Sequence, residues 1–244
     1  MSMLLENKHA VVYGAGPIGR AFASGFAREG AQVHLASRTQ AALDAAAEEV
    51  GAASAAVVDA LDARAVDEHA ASLPRIDVSV NAIGIDDVQD TPMADMDVED
   101  YLSPVVTAVR AQFLTMRAAV RRMREHGGGA ILIFGGEGPP VRGYSIGGLQ
   151  TAFHALEAMR RQLSTEEAGA GVRVVTLRTG GIAESIPAGF SGREELTKSL
   201  EDATLLGRCA TLEDIGRAAA FAASDWGRTM TAATINVSCG ALLD

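Results

Sequence analysis

The glycine-rich segment after the first apolar stretch constrains the fold more than any other part of the chain. Residues 9–14 read HAVVYG, and the spacing Gly14-x-Gly16-x-x-Gly19 follows, ahead of an Ala-rich amphipathic segment. This pattern is typical of a strand-to-helix turn that binds a dinucleotide, because glycines let the backbone approach the pyrophosphate and a helix N-terminus attracts it. We therefore expect cofactor contacts from Gly14, Gly16, Ile18 and Gly19. A purely structural turn is the alternative.

The rest of the chain alternates short β-branched runs with longer amphipathic segments, which predicts a parallel sheet covered by helices on both faces. Predicted strands cover 9–14, 32–37, 55–59, 77–82, 130–135, 172–177 and 233–238, and predicted helices cover 17–29, 40–50, 62–72, 104–125, 146–168 and 211–223. Residues 180–205 break the alternation, and a long excursion of this kind commonly covers a ligand site. We expect one domain over residues 1–244.

Charge and cysteine content narrow the function classes. The formal net charge of −10 argues against nucleic acid as a partner, and no stretch approaches the apolar length of a membrane span. Two cysteines without a secretory leader are typical of a reduced, cytoplasmic protein. The five histidines and two cysteines are dispersed, so no metal site is expected. A small-molecule substrate is the expected partner.

The end of the second predicted strand indicates which nucleotide would bind. The sequence LASRTQ places Ser37 and Arg38 where proteins that prefer NAD carry an acidic residue for the ribose 2′-hydroxyl. An arginine can instead pair with a 2′-phosphate. We therefore expect NADP(H) rather than NAD(H), with a solvated surface arginine as the alternative interpretation.

Several segments, in the order and at nearly the spacing of one family, resemble the short-chain dehydrogenases/reductases. They are VVDALDARAV (57–66), DVSVNAIGI (77–85), LGRCATLEDIGRAAAFAASD (206–225) and MTAATINVSCG (230–240). The resemblance implies an α/β fold of the Rossmann type, doubly wound, with a seven-stranded parallel sheet of order 3-2-1-4-5-6-7, in a homotetramer or homodimer. It also implies that Asp59 contacts the adenine amino group, that Asn81 and Gly84 border the cofactor, and that Glu184 contacts the nicotinamide amide.

The same resemblance leaves the family's four catalytic positions without their usual side chains. The tyrosine position falls at Leu149, the lysine position at Phe153, the serine position at Gly136 and the asparagine position at Ala108. No lysine lies between residues 8 and 198, so a Tyr-x-x-x-Lys pair is absent under any alignment. The glycine loop is also one residue shorter than the family's.

Chemistry at this site would need other groups, for which Glu137 and Tyr144 are our candidates. Glu137 follows a strand at the sheet edge where ligands bind in open α/β folds, although it equally fits a loop carboxylate. Tyr144 lacks a neighbouring cation to lower its pKa, which makes it a poorer acid–base group than the family's tyrosine. Further polar candidates are Arg142, Ser145, Gln150 and His154, the last more typical of a structural role.

Three functions fit these observations. The first is an atypical NADP(H)-dependent oxidoreductase that acts on a small, apolar carbonyl or imine-like compound, because Leu149 and Phe153 suggest an apolar lining. The second is a non-redox enzyme, such as an isomerase, dehydratase or cyclase, on the same scaffold. The third is a catalytically silent binding or regulatory subunit. The scaffold permits all three, since function belongs to the site and not to the fold.

Overall fold

A computed structural model describes residues 3–135 and 145–243 of the chain. Within these ranges, strands and helices alternate. The strands are β1 (His9–Tyr13), β2 (Gln32–Ser37), β3 (Ser54–Val57), β4 (Val78–Asn81), β5 (Gly129–Gly135), β6 (Val172–Arg178) and β7 (Ala233–Asn236). The helices are α1 (Pro17–Arg28), α2 (Gln40–Val50), α3 (Ala63–Ser72), α4 (Val98–Glu125), α5 (Gly147–Glu167), α6 (Arg193–Asp202) and α7 (Leu212–Ala223).

The strands form one parallel sheet of order β3-β2-β1-β4-β5-β6-β7. This confirms the predicted Rossmann-type fold and its strand order. The direction of winding reverses between β1 and β4, since β1 pairs with β2 on one side and with β4 on the other. Chains that leave the carboxyl ends of two such strands diverge, and the crevice between them is where ligands bind in open α/β sheets.

Both faces of the sheet are buried, which explains the continuous apolar runs of its strands. Val11 faces a core formed with α3, α4 and α5, while its neighbour Val12 faces a second core formed with α1, α2 and α7. This alternation follows from the two-residue period of a strand. None of the described helices is both long and apolar enough to cross a bilayer.

Two helices differ from the sequence expectation. Helix α4 begins at Val98 rather than at 104, because the Asp97 side chain accepts the Glu99 backbone N–H and so caps the helix six residues earlier. Pro104, the first residue of the predicted helix, therefore lies inside α4. Helix α6 was not predicted at all. None of its residues is fully buried, and its apolar signal is the single pair Leu196 and Leu200, which is too short a pattern to identify a helix within the excursion.

Candidate active site

The glycine loop between β1 and α1 is shaped by two close backbone contacts. Gly14 adopts φ +114°, and a Cβ there would lie 2.4 Å from the Ala82 carbonyl oxygen. A Cβ on Gly19 would lie 2.0 Å from the Gly14 carbonyl oxygen. Side chains at these positions would therefore force the loop apart. Gly16 is the N-cap of α1, and a Cβ there would have no atom within 4 Å. The loop is therefore closely packed at Gly14 and Gly19 and open at Gly16.

One cleft beside this loop, here called the loop cleft, has a volume of about 250 Å³. It is lined by predicted cofactor residues from four chain segments: Gly14, Gly16, Ser37, Arg38, Asp59 and Gly84. Arg38 is exposed and Ser37 is half-buried. No described ion pair contains Arg38. The carboxylate of Asp59 accepts the Leu61 N–H at 2.9 Å, which orients it at the rim.

A second cleft of about 470 Å³, here called the apolar cleft, shares Gly16 and residues 82–84 with the loop cleft. Its described lining is mostly apolar, with Asn81, Gln112 and Ser185 as the side chains that carry polar groups. The Asn81 carboxamide oxygen accepts the Ile83 N–H at 3.2 Å. Among the predicted cofactor residues, Ile18 and Asn81 line the apolar cleft but not the loop cleft. The two clefts therefore adjoin at the glycine loop.

Leu149 and Phe153 extend from α5 into the apolar cleft, one helical turn apart. Phe153 lies against β5, since a Cβ on Gly135 would be 3.7 Å from its ring. Ala108 on α4 lines the same cleft. Three of the positions that the resemblance assigns to catalytic side chains therefore surround one cavity and carry only hydrocarbon. His154 is exposed, and its ring nitrogen Nδ1 lies 2.8 Å from the Gln150 carbonyl oxygen.

A buried ion pair anchors α5 to the sheet. The Glu157 carboxylate accepts hydrogen bonds from Arg160 at 3.0 and 2.7 Å and from the Thr176 hydroxyl on β6. Burial acts to raise the pKa of Glu157, but the hydrogen bonds from Arg160 and Thr176 outweigh it, so the pKa lies below its usual range. The carboxylate is therefore charged and structural, and it holds the helix that carries Leu149 and Phe153.

Glu184 does not reach either cleft that the cofactor residues line. Its carboxylate accepts the Leu212 N–H at 2.7 Å, at the first residue of α7, and it borders a third groove, which Gly16 and Arg20 also line. A carboxylate at a helix N-terminus is stabilised by the free N–H groups and the helix dipole. The neighbouring Ser185 lines the apolar cleft instead. The contact between Glu184 and a nicotinamide amide therefore stays a prediction, and in this arrangement the carboxylate is hydrogen-bonded to α7.

Glu137 and Tyr144, together with Gly136 and Arg142, lie outside the described residues. Gly19 supports the loop from within the core rather than lining a cleft. Gln112 is a lining residue that sequence reasoning missed. The signal was available: Gln112 follows Ala108 by one turn, on a face of α4 whose other buried members include Ala111 and Leu114, so a long polar side chain there is out of pattern.

Comparison with known proteins finds similarity over nearly the whole chain. A family model described as Enoyl-(Acyl carrier protein) reductase matches residues 14–241. The galactitol 2-dehydrogenase (L-tagatose-forming) of Cereibacter sphaeroides is 34% identical, with 97% of this chain and 95% of that protein covered. The D-threitol dehydrogenase of Mycolicibacterium smegmatis is 29% identical, with 97% and 93% covered. A solved short-chain type dehydrogenase/reductase from Mycobacterium marinum superposes with a TM-score of 0.86 at 25% identity, covering 100% and 98% of the two chains.

Proposed function

Because this chain belongs to the short-chain dehydrogenase/reductase family, we propose that it is an oxidoreductase that uses NADP(H) and acts on a small, apolar carbonyl or imine-like compound. The observation that carries this proposal is the pair of adjoining clefts that share Gly16 in their lining. A dinucleotide needs one site for its adenosine half and a second, adjoining site for its nicotinamide. The loop cleft and the apolar cleft supply these two sites on either side of the open glycine position.

The glycine loop fits the pyrophosphate of such a cofactor. No atom lies within 4 Å of the position that a Cβ on Gly16 would take, whereas a Cβ on Gly14 or Gly19 would clash with the backbone. Gly16 also precedes the first turn of α1, whose free N–H groups and positive dipole end favour a phosphate. We infer that the backbone of residues 14–19 binds the pyrophosphate and that Asn81 and Gly84 border the nicotinamide side.

Arg38 supports a preference for NADP(H). Its side chain is exposed at the rim of the loop cleft, at the end of β2, where the 2′-position of the adenosine ribose lies in dinucleotide-binding folds. Ser37 supplies a second donor beside it. A guanidinium can hold a 2′-phosphate through two parallel hydrogen bonds. Asp59 supports an adenine contact at the far side of the same cleft.

The apolar cleft supports hydride chemistry on a substrate with little polar surface. When bound, the nicotinamide supplies or accepts the hydride. Leu149, Phe153 and Ala108 exclude water from the place where the substrate would lie, and they cannot move a proton. We propose Tyr144 or Glu137 as the proton source for a carbonyl substrate, whereas an iminium substrate would accept hydride without one. The excursion at 180–205 supports a covering role, since its Ser185 reaches the cleft.

We also infer a homo-oligomer. Leu102, Val106 and Phe113 are exposed apolar residues of α4, and their spacing places them along one stripe of the helix. Exposed apolar stripes of this kind mark association surfaces, and a second copy of the chain is the occupant that the family resemblance implies. Light scattering should give the mass of a dimer or tetramer, and Val106→Glu should lower it; a wild-type monomer would contradict the inference.

Nucleotide titration tests the central proposal. We expect NADPH to bind more tightly than NADH by fluorescence or calorimetry. Loss of a charged hydrogen bond costs about 1.5–3 kcal/mol, so Arg38→Ala should weaken NADPH binding by about 10- to 100-fold and leave NADH nearly unchanged. Arg64→Ala is the matched control, because Arg64 is exposed nearby on α3 and pairs with Glu68.

If neither nucleotide binds, the proposal fails and the non-redox enzyme or the silent subunit takes its place. If NADPH binds, its oxidation by carbonyl and iminium compounds separates an enzyme from a silent subunit. Tyr144→Phe and Glu137→Gln then identify the proton source, because only the variant that removes it should slow carbonyl reduction and spare iminium reduction.

A further inference from the structure

Gln112 is a buried amide that no described residue satisfies. It lies on α4, is 3% exposed and lines the apolar cleft. The other two polar side chains of the described lining are partly engaged: the Asn81 carboxamide oxygen accepts the Ile83 N–H and leaves its two N–H donors available, and the Ser185 hydroxyl donates to the Ile182 carbonyl oxygen and can still accept. No hydrogen bond within residues 3–135 and 145–243 involves the Gln112 carboxamide, which has two N–H donors and one acceptor.

The polar end of Gln112 reaches the open space of the cleft, because neither of its polar atoms is among the fully buried, partnerless atoms of the described residues. Most polar groups inside proteins have a hydrogen-bond partner, and here water or a ligand in the cleft can supply it. A neighbouring residue shows the usual solution: the buried Thr115 hydroxyl, one turn further along α4, donates to the Ala111 carbonyl oxygen at 2.9 Å. Gln112 is too long to satisfy itself in this way and extends into the cleft instead.

The surroundings of Gln112 define what it can bind. Ala108, one turn before it, leaves space above the carboxamide, and Leu149 and Phe153 line the same cleft from α5. Among the described residues, a ligand in this space meets hydrocarbon except at Gln112, Asn81 and Ser185. The cleft therefore suits a compound with one oxygen function on an apolar frame. A sugar alcohol would leave several hydroxyl groups without partners, at about 1–3 kcal/mol each.

We propose that the Gln112 carboxamide holds the oxygen of the substrate. Its N–H donates to the oxygen of a ketone or aldehyde, and its carbonyl accepts from the hydroxyl of the corresponding alcohol. One side chain can thus bind both members of the redox pair. This inference rests on the proposed function, and it places the substrate among compounds with a single oxygen on an apolar frame, apart from the sugar alcohols named for the relatives.

A pair of probes of equal shape tests the assignment. Cyclohexanone and methylenecyclohexane differ in the oxygen that Gln112 would hold, and neither is reduced when the protein is saturated with NADP⁺. We expect calorimetry or ligand-observed NMR to show cyclohexanone binding about tenfold more tightly to the wild-type protein, a ratio worth about 1.4 kcal/mol. Gln112→Met, which keeps the side-chain length, should equalise the two affinities.

Thermal stability separates a ligand-binding amide from a structural one. Because no described residue forms a hydrogen bond with the Gln112 carboxamide, its replacement by an apolar side chain of similar length breaks no described internal hydrogen bond, so Gln112→Met should melt at the same temperature or higher. Thr115→Val is the matched control: it removes a satisfied buried hydroxyl from the same helix, and it should not change the preference between the probes.

Several outcomes would overturn the assignment. They are a lower melting temperature of Gln112→Met, an unchanged preference for cyclohexanone in that variant, and a wild-type protein that binds both probes equally or neither. Nucleotide affinity reports separately on the proposed function. If NADP⁺ does not bind, the same probe titration on the nucleotide-free protein still tests Gln112, so the two failures remain distinguishable.

Discussion

The loop cleft and the apolar cleft adjoin at Gly16, yet they are built by different means. The first is defined by backbone: Gly14 and Gly19 permit contacts that no other residue allows, and the strand order brings the ends of β1, β2 and β4 together. The second is defined by side chains of α4 and α5, among them Gln112, Leu149 and Phe153. A backbone site constrains the sequence strongly. A side-chain site leaves the scaffold intact when its chemistry changes.

Substitution within the glycine loop is the strongest test of the backbone-defined half. The Cβ of Gly19→Ala would lie 2.0 Å from the Gly14 carbonyl oxygen, so the loop must move. We expect a loss of about 4 kcal/mol or more in the free energy of unfolding, seen as a fall of about 10 °C in melting temperature. Nucleotide binding should be lost as well.

Gly16→Ala is the matched control for this substitution. Its Cβ meets no atom within 4 Å, so the melting temperature should hold. The added methyl group would occupy the space where the pyrophosphate approaches, and NADPH affinity should fall at least about tenfold, or 1.4 kcal/mol. Equal melting temperatures for the two alanine variants would show that the loop is not defined by its backbone contacts.

Substitution of the ion pair within α5 tests whether the fold around the apolar cleft is stabilised by residues other than those that line it. Arg160 and Glu157 have about 6% exposed side chains. Arg160→Met would leave the Glu157 charge buried without its main partner, a change that typically costs about 3–5 kcal/mol. Urea unfolding should show this loss. The double variant Glu157→Gln, Arg160→Met should recover most of the stability, and a double variant as unstable as the single one would contradict the assignment.

The contrast between the two halves also explains what the sequence could predict. The sheet order and the glycine loop follow from residues that backbone geometry demands, such as Gly14 and Gly19. Helix α6 is only partly buried, and its one apolar pair, Leu196 and Leu200, is too short a pattern to identify a helix. Gln112 was missed although it breaks the apolar pattern of α4; what only packing reveals is that it lines the cleft and has no hydrogen-bond partner among the described residues. The Glu184 carboxylate contacts α7, 28 residues away in sequence, and no local pattern indicates such a contact.

A histidine cluster near the amino-terminal ends of β1 and β2 should make the fold, rather than either cleft, sensitive to acid. His9 and His34 stack at 5.3 Å, with their ring nitrogens 3.0 Å apart. Burial, and then the proximity of His9 and His69, lowers the pKa of His34 to about 4. Burial also lowers the pKa of His9, although the nearby Asp77 carboxylate acts to raise it. Burial lowers the pKa of His69 as well.

A lowered pKa in the folded state means that the unfolded chain binds the proton first as the pH falls. Stability should therefore be complete above about pH 6.5, the usual value of histidine, and should decline towards pH 4. We expect a loss on the order of 2–3 kcal/mol in urea unfolding between pH 7.5 and pH 4.5. His34→Gln, which can still bond to Ser54, should flatten this dependence. An unchanged slope in the variant would place the acid sensitivity elsewhere, including in the clefts.

The smallest expected effect tests whether Glu184 stabilises helix α7 or contacts the cofactor. If its carboxylate caps α7, as the 2.7 Å contact with the Leu212 N–H indicates, Glu184→Ala should cost about 1 kcal/mol, or about 2–4 °C in melting temperature. NADPH affinity should stay within twofold. Glu213→Ala removes an exposed charge from the same first turn of α7 and should change the melting temperature less.

The opposite result for Glu184→Ala, an unchanged melting temperature with NADPH affinity reduced tenfold, would return Glu184 to the nicotinamide contact that the family resemblance implies. The loop around residues 183–185 would then have to rearrange when the cofactor binds, because Ser185 and not Glu184 reaches the apolar cleft. In that case a backbone segment would move to complete a side-chain site, and the division between the two halves would hold only for the cofactor-free protein.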